Sequence, residues 1–107
     1  MSRRPKRART VAREADRARA KLAAQGVALA RLELGGDPSR PSVVESPAQV
    51  EPAALSRRCP RCGGEFSLQS HDATTWQGSR LRVARVLCRA CGKPWDIYFQ
   101  LRSELAS

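Results

Sequence analysis

Period-two alternation runs through the C-terminal half of the chain. Phe66 and Leu68 alternate with Ser67 and Gln69, and Leu81, Val83 and Leu87 with Arg80, Arg82 and Val86. Trp95, Ile97, Phe99 and Leu101 alternate with Asp96, Tyr98, Gln100 and Arg102. Successive side chains of a strand point to opposite faces, so each run predicts a strand with one apolar face. The expected sheet has three short antiparallel strands, with Trp95, Ile97 and Phe99 facing the core and the turn-rich Ser70–Ser79 stretch joining the first two. On this pattern Arg80, Arg82, Tyr98, Gln100 and Arg102 face away from the core. Arg85 falls on the apolar row of its strand, which calls for a β-bulge or for a stem laid across the core edge with the guanidinium in water.

A different period governs the N-terminal third. Val11, Ala15, Ala18, Leu22, Gln25, Leu29 and Leu32 recur at alternating spacings of four and three, the stripe of an amphipathic helix over 10–34, with Thr10 as its N-cap. The stripe is thin, since three of its seven members are Ala or Gln, and Gly26 costs the helix about 1 kcal/mol relative to Ala. Such a helix is expected to dock on something rather than to zip onto itself. Arg9, Arg13, Arg17 and Lys21 follow one another at i, i+4, so like charges stack along one line. A phosphate backbone would relieve that repulsion; the alternative is a merely solvated face in which Glu14 and Asp16 pair with Arg17 and Arg19. Ahead of the helix, residues 1–9 form a basic arm expected to be disordered. Behind it, Gly35-Gly36-Asp37-Pro38 stops the helix, and residues 35–56, with four prolines, are expected to be a flexible acidic linker with a helical turn near Pro52–Leu55. Residues 103–107 form a tail.

Charge narrows the range of partners. The 107 residues carry a formal charge of +10, with ten Lys/Arg against three acids in residues 1–34 and nine against four in residues 57–107. Polyanions are the expected partners, nucleic acid first and an anionic membrane surface second, while general solubility is the plainer explanation. No apolar run approaches the roughly 18–20 residues that span a bilayer. The cytoplasm is the expected compartment, because a reducing milieu keeps thiols available for metal.

All four cysteines lie in two matched turns, Cys59-Pro60-Arg61-Cys62-Gly63 and Cys88-Arg89-Ala90-Cys91-Gly92. Two residues between cysteines let one tight turn aim both sulfurs at a point, and two such turns supply four thiolates to a tetrahedral metal. Glycine after the second cysteine lets the chain reverse through positive φ while backbone N–H groups face the sulfurs. Rubredoxin-like iron, disulfides and redox chemistry are the competing uses of such cysteines. The pair of turns resembles the two knuckles of a zinc ribbon, a likeness that covers roughly the second half of the chain. It implies a small metal-stapled β domain, a three-stranded antiparallel zinc ribbon over 57–102, preceded by the basic helix and the Pro-containing linker. One structural Zn²⁺ would be held by Cys59, Cys62, Cys88 and Cys91, with His71 outside the ligand set. Size alone calls for such a staple, since a domain of roughly 45 residues buries too little apolar surface to stand unaided.

A closed Cys₄ site leaves the metal no position for water, and the acids of the C-terminal half form no catalytic constellation, so no enzyme activity is expected. The expected function is that of a nucleic-acid-associated zinc module serving transcription, RNA or the ribosome. Arg9, Arg13, Arg17 and Lys21 on the helix, with Arg80, Arg82, Tyr98 and Arg102 on the sheet, would make the contacts. The alternative is a protein–protein adaptor that uses helix 10–34 and the ribbon.

Overall fold

The computed structural model describes residues 8–105, so the basic arm before Ala8 and the last two residues of the tail lie outside them. Helix α1 spans Ala8–Leu32. It already includes Arg9 and starts two residues ahead of Thr10, which sits inside the first turn instead of capping it. The helix gives way to a turn at Glu33–Gly36, where the Gly36 N–H donates to the Glu33 carbonyl at 3.1 Å.

The sheet has four strands and is mixed, which corrects the three-stranded antiparallel expectation. Strands β1 (Ser42–Val44), β2 (Phe66–Trp76), β3 (Ser79–Cys88) and β4 (Pro94–Leu101) lie in the order β1-β4-β3-β2. The β2–β3 and β3–β4 pairs are antiparallel, whereas β1 runs parallel to β4. This extra strand comes from the segment expected to be a flexible linker. A 3-10 turn at Pro47–Gln49 and helix α2 (Val50–Leu55) follow it in the same segment. Val50 and Ala54, one helical turn apart, are both fully buried. An ion pair of 2.6 Å between Glu45 and Arg102 then ties the end of β1 to the end of β4. The apolar residues of this segment are small and widely spaced, so no period announces them; their partners are strands far along the chain.

Strand register also differs from the alternation pattern. The ladder pairs Ala84 with Ile97, Val86 with Trp95 and Arg82 with Phe99, which places Arg82 on the face of the main core. Val83 faces Tyr98, and Arg85 faces Asp96 at 3.8 Å, on the opposite side of the sheet. Leu81 and Val83 are nevertheless buried, so β3 is apolar on both faces, and alternation alone chose the wrong one. Of the two alternatives at Arg85, no bulge forms in β3 there; the one register shift of the β2–β3 pair lies in β2, between Leu68 and Ser70. Strands β2 and β3 also run closer together than expected, meeting at Gln77-Gly78. Positive φ at both residues, 47° and 81°, matches the twist of the flanking strands.

The principal core joins Phe66, Val86, Ile97, Phe99 and Leu101 to Val44, Val50 and Ala54. Phe99 is wholly buried, and the Arg57 guanidinium lies 6.0 Å from its ring centre. Helix α1 contributes no buried residue. Its half-buried row is Ala23, Gly26, Val27 and Ala30, and a Cβ added at Gly26 would fall on the Pro60 carbonyl oxygen. Gly26 therefore permits a close approach of helix to knuckle. Around this point a cleft of about 1340 Å³ separates α1 from Phe66, Trp95 and Ile97.

Because 42–55 supply core, Val50→Ala is expected to destabilise the sheet domain by about 1–3 kcal/mol, read from chemical denaturation. Limited proteolysis should leave a resistant fragment beginning near Gly35. A fragment beginning near Arg57, with Val50→Ala neutral, would show that the segment does not belong to the folded unit.

Candidate metal centre

The two knuckles close by the same hydrogen bonds. In the first, the Gly63 N–H donates to the Cys59 carbonyl at 2.8 Å and the Cys59 N–H to the Gly64 carbonyl at 2.9 Å. In the second, Gly92 donates to Cys88 and Cys88 to Lys93, both at 3.0 Å. Gly63 and Gly92 adopt φ of 76° and 75°, the left-handed region that side chains resist. A third bond, from the Arg89 N–H to the Glu65 carbonyl at 2.8 Å, laces the knuckles together. The turns are local, whereas their meeting depends on β3, which delivers Cys88 opposite Phe66.

All four sulfurs lie within 4.8 Å of one another. Cys59 and Cys91 are 3.7 Å apart, and Cys62 and Cys88 3.4 Å. A tetrahedron with metal–sulfur arms of about 2.3 Å has edges of about 3.8 Å, so the cluster is of the size a metal needs. Four sulfurs without an oxygen donor suit zinc or iron and not a hard cation. Cys59 and Cys88 are buried, while Cys62 and Cys91 reach solvent, so the centre sits at the rim of the core. At Gly64 a Cβ would stand 2.8 Å from the Cys88 sulfur and 3.2 Å from that of Cys62. Any larger residue there would press on two ligands.

Crowding of the thiols sets their protonation. The Cys91 N–H donates to the Cys88 sulfur at 3.4 Å and, as the largest influence, helps to hold that thiol down to about 6, against an ordinary value of 9.0. At Cys62 the Gly64 N–H favours the thiolate, but the neighbouring sulfurs, Cys88 first, outweigh it and push the thiol up to about 12. Thiols this close share protons, because four adjacent negative charges are untenable. A divalent cation removes that conflict and displaces the protons.

The remaining candidates are distributed as follows. His71 belongs to β2, not to a hairpin loop, and its Nδ1 stands 3.7 Å from a Glu51 carboxylate oxygen under α2. It is not in the sulfur cluster. Trp76 ends β2 beside the hairpin turn. Arg80 and Arg82 alternate onto the Phe99 face of β3, whereas Tyr98 shares the other face with Val83 and Arg85. The structure therefore does not gather Arg80, Arg82 and Tyr98 on one face. Tyr98 is half-buried, and burial raises its phenol above the ordinary value of 10.0. Arg102 is exposed and engaged with Glu45. On α1, Arg9, Arg13, Arg17 and Lys21 are all exposed along one line. Of the two helix ion pairs expected, Asp16–Arg19 forms.

Gly64 is the position that sequence reasoning passed over, and Arg85 is the one whose partner it did not identify. For Gly64 the available signal was its place directly after the knuckle glycine; for Arg85 it was the basic residue facing an acid, which needs the register to be seen. No helix among the described residues is long and apolar enough to cross a membrane. No protein-family model matches the chain, and comparison with curated proteins and solved structures returns no match.

The cluster implies one metal equivalent per chain. Cys88→Ser should abolish tight binding, and Gly64→Val should weaken it by about 10–100-fold, measured by competition with a chromophoric chelator. Undiminished affinity in Gly64→Val would show that the ligands do not close around Gly64.

Proposed function

We propose that this chain is a structural-zinc module that engages nucleic acid through α1, without catalysis. The observation that carries the reading is the basic line of α1. Among the described residues, Arg9, Arg13, Arg17 and Lys21 form no ion pair, and Asp16 on the same helix pairs with Arg19 instead. Four cations stacked at i, i+4 repel one another, and that repulsion is relieved when a row of phosphates lies along the helix. The line extends over about 18 Å at about 1.5 Å per residue, enough to follow several consecutive phosphates.

Zinc's part in this reading is to hold the fold. Cys59, Cys62, Cys88 and Cys91 would hold the ion, which supplies a fixed tetrahedral tie. The chain's own residues then position the helix, through the contact of Gly26 with Pro60 in the first knuckle. On the sheet, Tyr98 and Arg85 rather than Tyr98 and Arg82 would form any surface for stacking an unpaired base. A second reading, docking of protein on α1, draws on its exposed leucines.

Fluorescence anisotropy of labelled single- and double-stranded oligonucleotides, titrated across a salt series, tests the reading. The duplex affinity should fall steeply with salt, and replacing Arg13 and Arg17 together by Gln should lower the log–log slope by about two. An unchanged slope, or no binding at low salt, would remove α1 as a phosphate-contacting element.

A further inference from the structure

At about 100° per residue, three rows divide the circumference of α1 into sectors about 120° apart. The row Ala23, Gly26, Val27 and Ala30 rests towards the sheet domain, and the line Arg9 to Lys21 occupies a second sector. The third sector holds the apolar stripe, and no described residue covers it. Val11 is 50% exposed, Leu22 67%, Leu29 62% and Leu32 63%. The domain thus docks on a different side of α1 from the one the stripe offers.

We propose that this stripe is the seam of a parallel two-stranded coiled coil formed with a second copy of the chain. The spacing of four and three is the heptad repeat, with Leu22 and Leu29 at position a and Leu32 at position d. Charge at the flanks selects the orientation. Glu14 occupies a g position and Arg19 the e position five residues on, so a parallel pair sets each Glu14 against Arg19 of the other copy. An antiparallel pair would instead set Lys21 near Lys21 and Arg19 near Arg19, like against like. Arg19 already holds Asp16 along its own helix and Glu14 is itself engaged, but a guanidinium and a carboxylate can each serve two partners. The seam carries no cation, so it offers a polyanion nothing to bind. Gln25, the polar member at a d position, favours the in-register alignment in which it meets its own copy. The seam is thin and the chains are both strongly basic, so the association is weak and depends on concentration.

Sedimentation of the full-length, metal-loaded and nuclease-treated chain from micromolar to near-millimolar concentration tests the proposal. The mass should rise towards twice that of the monomer. Leu22→Asp combined with Leu29→Asp should hold it at the monomer value with unchanged metal content. Glu14→Arg should weaken association several-fold, and Arg19→Glu in the same chain should restore it. These two positions are not neighbours within one helix, so restoration reports the contact between copies. A monomer mass at every concentration would overturn the proposal, as would a doubled mass that survives the double leucine substitution. A doubled mass present only before nuclease treatment would overturn it too, the polyanion being the bridge. Failure of Arg19→Glu to restore association would overturn the parallel register.

Discussion

Four sulfurs that cannot all be thiolates without a cation lie at the meeting point of this fold. The first knuckle precedes β2 and the second joins β3 to β4, so one metal would tie the start of β2 to the β3–β4 turn. Neither turn has a core of its own. Their hydrogen bonds are complete within six residues each, but Cys62 and Cys91 are exposed, and only Cys59 and Cys88 are anchored by packing. Metal coordination and closure of the sheet would therefore act as one equilibrium, as expected where so little apolar surface is buried.

The sheet meets the same shortage of core by recruiting the segment before it. Val44, Val50 and Ala54 cover a face that β2, β3 and β4 leave open, and β1 occupies what would otherwise be an open edge at β4. The opposite edge, β2, carries a bulge and a largely polar sequence, two devices that discourage pairing with another chain. Residues that look like a spacer thus complete the domain. Helix α1 differs in kind: it touches the domain where Gly26 meets the first knuckle and leaves most of its length in solvent.

This division of labour gives α1 its possible functions. A helix that supplies no buried residue keeps its other faces open, and those faces are a line of cations and a row of leucines. They lie about 120° apart, so occupation of one leaves the other accessible. Phosphate contact and self-association are compatible on that geometry, and each has its own signature in salt and in concentration.

Local rules were legible in the sequence. Both knuckles, the helix stripe, the basic line and the three longer strands could be read from spacing, because each depends on residues within one turn or one strand. The four cysteines that cluster were legible for the same reason. What only the tertiary structure decided was every choice between two faces. Leu81 and Val83 compete with Ala84 and Val86 for the core, and the pairing of Ala84 with Ile97 resolves it. The stripe and the row through Gly26 compete for the domain, and a close approach at a glycine resolves that. The pairing of β1 with β4 and the burial of Val50 and Ala54 against β2 and β3 likewise depend on segments outside their own strand or turn. A periodic pattern says that an element has a face; which surface it meets depends on chain segments whose pairing no local spacing encodes.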